Sequence, residues 1–129
     1  MNGLFVPPSR SWPTKIIAAL RGIWLGVRGE SSFALHLSAA ALVVVMGVCL
    51  RVTVTEWCLL TLCITIVLAA ETFNSALETL AKAIDDKPNP HLAVGLDIAS
   101  GAVLLAAIGA VVTGIAIFLP PLAAVVGGW

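Results

Sequence analysis

The sequence predicts an all-α integral membrane protein with three transmembrane helices and an N-terminal amphipathic surface helix. Of its 129 residues 60% are hydrophobic and 11% are charged, whereas a soluble domain is roughly 45–50% apolar and about 25% charged. The few charges also leave three uncharged stretches, at residues 31–50, 57–70 and 98–129. Because a helix needs about 20 mainly apolar residues to cross a bilayer, these stretches locate the spans. Seven basic and seven acidic residues cancel, so the chain has no net charge to attract nucleic acid.

The segment at about 14–29 is predicted to form the surface helix. Its apolar residues recur at intervals of three and four, and basic residues fill polar positions between them. The apolar set is Ile16, Ile17, Leu20, Ile23, Trp24 and Val27, and the basic set is Lys15, Arg21 and Arg28. Gly22, Gly26 and Gly29 lower the helix propensity, which leaves an irregular connection as the alternative.

The three spans are predicted at about 32–50, 56–84 and 96–119, within a single domain of residues 1–129. The second uncharged stretch is too short to cross alone, so its helix must continue through the polar residues that follow. Pro88 and Pro90 separate the second span from the third, and Pro120 with Pro121 is expected to end the third. The third span carries a face of small residues that permits close helix contact: Ala99, Gly101, Ala102, Ala106, Gly109, Ala110 and Gly114.

The basic residues predict the orientation of the spans. Four precede the first span, whereas Arg51 alone lies between the first and second. Lys82 and Lys87 lie between the second and third, and none follows. Cytoplasmic loops carry the excess of Lys and Arg, so we expect the N-terminus and the second loop on the cytoplasmic side.

One polar stripe stands out in the second span. Glu71, Asn74, Ser75, Glu78 and Lys82 lie at helical offsets of 0, 3, 4, 7 and 11, so they share one face. Carboxylates in a span are costly and usually functional, and Mg²⁺ prefers such oxygen ligands together with substrate phosphates. The alternative is a solvated face of a helix end outside the membrane, which we prefer for Lys82.

Two further acids lie at the entrances of the other spans. Glu30 precedes the first and Asp97 opens the third, so both can meet Glu71 and Glu78 at the cytoplasmic interface if neighbouring spans are antiparallel. The sequence contains no GxxxxGK[ST], GxGxxG, HRD or DFG motif, which excludes a soluble-type nucleotide fold. This pattern predicts a metal and phosphate site at the membrane surface.

These residues carry a family resemblance. Residues 71–78 read E-T-F-N-S-A-L-E, an E-x-x-N-[ST]-A-[IL]-E pattern, and Asp97 begins D-I-A-S-G about twenty residues later. Together with Arg21-Gly22, Glu30 and Phe33 in the same order and spacing, they make the chain resemble the small bacterial integral-membrane diacylglycerol kinase and undecaprenol kinase family.

The resemblance implies a homotrimer in the bacterial inner membrane that transfers the γ-phosphoryl of MgATP to a lipid hydroxyl. The acceptor it implies is diacylglycerol, giving phosphatidic acid, with undecaprenol as the alternative. The resemblance implies that Glu71 is the general base and that Glu30 and Glu78 bind the metal. It also implies that Asp97 and Arg21 contact the nucleotide. Asn74 would lie beside Glu71 and the transferring phosphate, and Phe33 would contact the substrate.

Two positions depart from the family pattern. Many relatives have Lys where this chain has Leu96, and an acid where it has Lys82. We expect Lys82, Lys87, Arg21 or Arg28 to supply the missing cation. Two other classes of function stay open from the residues: an ion-coupled transporter that uses Glu71, and a non-catalytic membrane subunit.

Overall fold

The computed structural model describes residues 11–29, 31–84 and 87–128, and for Gly29 and Ser31 only the backbone. Within these ranges the chain forms four helices and no strand: α1 (Trp12–Gly29), α2 (Ser31–Cys49), α3 (Val54–Ile84) and α4 (Pro90–Gly127). Three of them, α2 to α4, are long and apolar enough to cross a membrane. The predicted all-α class with three spans is confirmed.

A tight turn joins α2 to α3. Arg51 adopts a left-handed backbone conformation with φ of 54°, which turns the chain back. Thr53 and Glu56 then form a capping box: the Thr53 amide and hydroxyl donate to Glu56 Oε2 at 2.7 and 2.8 Å, and the Glu56 amide donates to Thr53 Oγ1 at 3.3 Å. These bonds satisfy amides that the first turn of a helix leaves without partners.

The apolar core lies near this turn. Leu60 of α3 packs with Ile117 and Phe118 of α4, and Trp57 covers the cluster. Gly47 of α2 lets the indole approach closely, because a Cβ at this position would lie 2.7 Å from Trp57 Cη2. The three spans are thus fixed to one another near the turn that joins α2 to α3.

α4 corrects two expectations about prolines. The helix begins at Pro90, not near residue 96, because the Asn89 side chain caps it by accepting from the His91 and Leu92 amides and Pro fits the first helical position. It also continues through Pro120 and Pro121 to Gly127. Each Pro removes one backbone donor, but its fixed φ suits a helix, and transmembrane helices tolerate such breaks in the hydrogen-bond ladder.

Most of the apolar surface faces outward. Only 11–17% of the residues in the spanning windows are buried within the chain, as expected when lipid and not water is the surrounding solvent. The glycines do not interrupt α1, and its apolar residues Ile16, Leu20 and Trp24 remain more than half exposed. Its placement on the membrane surface stays a prediction.

Candidate functional site

Glu71 lies in the middle of α3 and is only 2% exposed. A carboxylate buried at this depth is expensive unless other groups satisfy its oxygens. It follows an uncharged run of fourteen residues, so α3 presents it where the apolar part of the span gives way to the polar stripe. Glu71 is therefore the group around which the site is built.

Two side chains of α2 face this carboxylate. The Ser32 hydroxyl donates a hydrogen bond to Glu71 Oε1. His36, one helical turn further along α2, brings Nε2 to 3.9 Å from Glu71 Oε2, and its own side chain is 18% exposed. Each carboxylate oxygen thus has a polar side chain of α2 beside it, and both helices position the carboxylate.

The next turns of α3 hold a second polar pair. Asn74 Nδ2 donates to Glu78 Oε1 at 2.9 Å. Asn74 is 7% exposed and Ser75 8% exposed, and within the described part of the chain Asn74 Oδ1 and Ser75 Oγ have no hydrogen-bond partner. Buried polar atoms rarely stay unpaired in native proteins, so these two oxygens are available to a further ligand. The resemblance implies a place beside Glu71 for Asn74, whereas the amide nitrogen of Asn74 donates to Glu78.

A cavity of about 350 Å³ opens beside Glu78. Lys82 of α3, Leu96 of α4 and the loop residue Lys87 line it with Glu78. Two cations therefore border the same cavity as Leu96, where relatives are expected to have Lys. Of the four candidates for the missing cation, the structure places Lys82 and Lys87 there, whereas Arg21 and Arg28 lie on the exposed surface of α1.

The remaining predicted residues are distributed around this centre. Asp97 follows Leu96 on α4 and is exposed. Phe33 is 3% exposed and packs in the corner where α1 meets α2, since a Cβ on Gly26 would lie 3.9 Å from its ring. Glu30 lies outside the described residues. The roles proposed for Asp97, Phe33, Arg21 and Glu30 stay predictions.

Some of these residues carry the oxygen donors that Mg²⁺ prefers. Glu78 offers a carboxylate and Asn74 an unpartnered amide oxygen, and hard cations prefer such ligands. The described residues contain no group of three or more His, Cys, Asp or Glu placed to hold a metal. Two chain ligands nevertheless suit Mg²⁺, which usually takes one or two carboxylates and completes its shell with water and phosphate.

Sequence reasoning missed the contribution of α2 to the site. Neither Ser32 nor His36 is among the candidate site residues that the sequence indicates. A signal was present: Ser32 and His36 are four residues apart, so they share a face of an otherwise apolar helix. Only the register between α2 and α3 shows that this face meets Glu71.

Comparisons with known proteins identify the family of the chain. A profile of the family described as "Prokaryotic diacylglycerol kinase" matches residues 17–118. The undecaprenol kinase of Bacillus subtilis (strain 168) is 35% identical over 106 residues, which cover 82% of this chain and 86% of that protein. The diacylglycerol kinase of Synechocystis sp. is 30% identical over 137 positions, covering 93% and 78%. The chain therefore belongs to the prokaryotic diacylglycerol kinase family and is a membrane-embedded lipid kinase.

Proposed function

We propose that the chain transfers the γ-phosphoryl group of MgATP to the hydroxyl of diacylglycerol at the cytoplasmic surface of the inner membrane. The observation that carries this proposal is Glu71, an acid that is 2% exposed in an apolar span and has polar partners on α2. Family membership favours the kinase over the ion-coupled transporter and the non-catalytic subunit.

Glu71 acts as the general base in this proposal. Its carboxylate accepts the proton of the lipid hydroxyl while the hydroxyl oxygen attacks the γ-phosphorus and the bond to ADP breaks. Such proton transfer contributes about 10²–10⁴-fold to rate. Phosphoryl transfer otherwise asks mainly for positioning and for compensation of phosphate charge, and Ser32 with His36 fixes the direction of the base.

The Asn74–Glu78 pair supplies the nucleotide side. Glu78 and Asn74 Oδ1 would hold Mg²⁺, with Glu30 as the further carboxylate that the resemblance implies, and the metal would supply charge compensation to the ATP phosphates. Lys82 and Lys87 border the neighbouring cavity, where their charge would attract the same phosphates. Arg21 and Asp97 are proposed to contact the nucleotide, and Phe33 the lipid.

Undecaprenol is the second candidate acceptor. The undecaprenol kinase is 35% identical to this chain, against 30% for the diacylglycerol kinase. Both lipids present a primary alcohol on long apolar chains, so the chemistry at Glu71 is the same for each.

We propose a homotrimer with a cytoplasmic N-terminus. The small-residue face of α4 and the exposed apolar spans support an assembly, and the basic residues before α2 support the orientation. If sites are shared between subunits, mixing a Glu71→Gln chain with a Glu30→Gln chain restores part of the activity. Absence of restoration at every mixing ratio places each site within one chain.

The test is phosphate transfer from labelled ATP by the purified protein in mixed micelles. Diacylglycerol and undecaprenol are offered in parallel, with and without Mg²⁺. Glu71→Gln is expected to reduce Mg²⁺-dependent product formation by at least 100-fold. Glu56→Gln is the matched control, because it makes the same change in the first turn of α3, where Glu56 only caps the helix.

The product identifies the acceptor. Phosphatidic acid supports the diacylglycerol assignment, and undecaprenyl phosphate alone replaces it with the second candidate. A folded protein that phosphorylates neither lipid contradicts the proposal, and so does a Glu71→Gln variant with full activity.

A further inference from the structure

Ser75 carries a buried hydroxyl on α3 that the proposed mechanism does not use. The residue is 8% exposed, and within the described part of the chain its Oγ has no hydrogen-bond partner. Leaving a buried polar group unpaired costs stability, and such groups are rare enough in native proteins that a catalytic role is one of their recognised explanations. The Ser75 hydroxyl is therefore a candidate for a partner that arrives with the substrates.

Other hydroxyls of the spans are satisfied by their own helix. Each of the following donates to the carbonyl oxygen four residues earlier, at 2.7–2.9 Å: Ser38, Thr65, Thr72, Thr79 and Thr113. This is the usual local partner of a hydroxyl inside a helix. Ser75 has the Glu71 carbonyl at the same offset but makes no such bond. Its hydroxyl is thus held away from the backbone that would otherwise satisfy it.

Ser75 lies between the two ends of the proposed reaction. It follows Glu71 by four residues and precedes Glu78 by three, a rise of about 6 Å and 4.5 Å along α3, and the three residues share one face of the helix. The proposed acceptor hydroxyl is at Glu71, whereas the metal and the ATP phosphates are at Glu78, which lines the neighbouring cavity. The group that passes between these two positions is the phosphoryl group in transfer.

The two unpaired oxygens on this face have complementary chemistry. Asn74 Oδ1 is an amide oxygen, which only accepts and therefore suits a cation, whereas Ser75 Oγ carries a proton that it can donate to an anionic oxygen. In phosphoryl transfer the charge is spread over the equatorial oxygens of the phosphoryl group. A donor that is already in place in a site without water stabilises such charge strongly, because it needs no reorganisation.

We propose that Ser75 is a further catalytic residue, whose hydroxyl donates a hydrogen bond to an oxygen of the transferring γ-phosphoryl group. The hydroxyl keeps its proton throughout, and no covalent bond to Ser75 forms. The inference rests on the proposed function, because it uses the base at Glu71 and the metal at Glu78 to locate the phosphoryl group. It adds a neutral donor to a site that is otherwise built from carboxylates and cations.

Kinetics in mixed micelles test the role of the hydroxyl. Ser75→Ala is expected to lower kcat by about 10–100-fold and to leave the KM for ATP and for the lipid unchanged, since the bond is made in the transition state. Ser75→Thr and Ser75→Val form a second pair of nearly equal shape that differs in the hydroxyl, and the Thr variant should be faster by a similar factor. Thr72→Val is the matched control, because the Thr72 hydroxyl bonds the Leu68 carbonyl of its own helix, and its kcat should stay at the wild-type value.

The Tm in detergent without ATP separates catalysis from packing. The resting hydroxyl has no bond to lose, so Ser75→Ala should not lower the Tm. Equal kcat values for the Thr and Val variants, or an unchanged kcat in Ser75→Ala, overturn the inference while the proposed function stands. A raised KM for the lipid without a fall in kcat also overturns it, because the hydroxyl then contacts the acceptor. A wild-type chain that transfers no phosphate removes the proposed function and this inference together.

Discussion

Ser32 on α2 donates a hydrogen bond to Oε1 of Glu71 on α3, across 39 positions of the chain. This contact joins a helix without any formal charge to the buried acid of its neighbour. It holds the carboxylate in one orientation, which a general base needs if its proton acceptor is to face the substrate.

Loss of the Ser32 hydroxyl is expected to reduce kcat. Ser32→Ala removes a hydrogen bond to a buried charged group, and such bonds contribute about 1.5–3 kcal/mol, so we expect at least a 10-fold decrease with an unchanged KM for ATP. Ser38→Ala is the control, since Ser38 only donates to the Ala34 carbonyl of its own helix. Equal kinetics for both variants would show that Ser32 does not position Glu71.

Asn74 is expected to control the Mg²⁺ requirement. Asn74→Ala removes the amide that donates to Glu78 and the buried oxygen without a partner, so the Mg²⁺ concentration for half-maximal activity should rise by about 10-fold or more. Thr79→Ala on the same helix, where the hydroxyl bonds only the Ser75 carbonyl, should leave it unchanged. A normal Mg²⁺ dependence of Asn74→Ala would remove this residue from the metal site.

The basic side chains that line the cavity beside Glu78 are expected to bind ATP. Lys82→Ala and Lys87→Ala should each raise the KM for ATP by about 10-fold, because each loses a charge-assisted contact to phosphate. Lys15→Ala is the control, since Lys15 lies over the Trp12 ring on α1. Leu96→Lys should restore a low KM in the Lys82→Ala background, because the two side chains border the same cavity. If only Arg21→Ala or Arg28→Ala raises the KM, the replacement cation comes from α1.

The contact between Gly47 and Trp57 predicts a stability effect. Gly47→Ala places a Cβ within 3 Å of the indole, and such overpacking costs about 1–3 kcal/mol, so the Tm in detergent should fall. Trp57→Leu in the same chain should recover part of the loss. Gly95→Ala, whose Cβ meets nothing within 4 Å and which lies outside the small-residue face of α4, should not lower the Tm. A stable Gly47→Ala protein would show that the two helices can separate at little cost.

The sequence predicts the spans well because their signal is local. The gap between charges locates α2, and the offsets from Glu71 to Lys82 place the polar stripe on one face of α3. The ends of α4 were harder to predict, since Pro90 and Pro120 suggest termination. Asn89 before Pro90 is nevertheless a sequence signal for a helix start.

The site could be predicted only on the helix that carries the motif. Glu71 and Glu78 follow from their own positions, but the partnership of Ser32 and His36 with Glu71 depends on how far α2 slides along α3. The turn at Arg51 and the contact of Gly47 with Trp57 fix that register, and both arise from packing between helices. No periodicity within one helix contains this information.

The length of α4 has a consequence for the membrane itself. Its uncharged part, residues 98–127, extends about 45 Å, whereas the hydrocarbon core is only ~30 Å thick. Such hydrophobic mismatch is accommodated by tilting the helix or by locally thickening the bilayer. Because α4 carries Leu96, it also borders the cavity beside Glu78. We therefore expect kinase activity to depend on bilayer thickness as well as on the acceptor lipid.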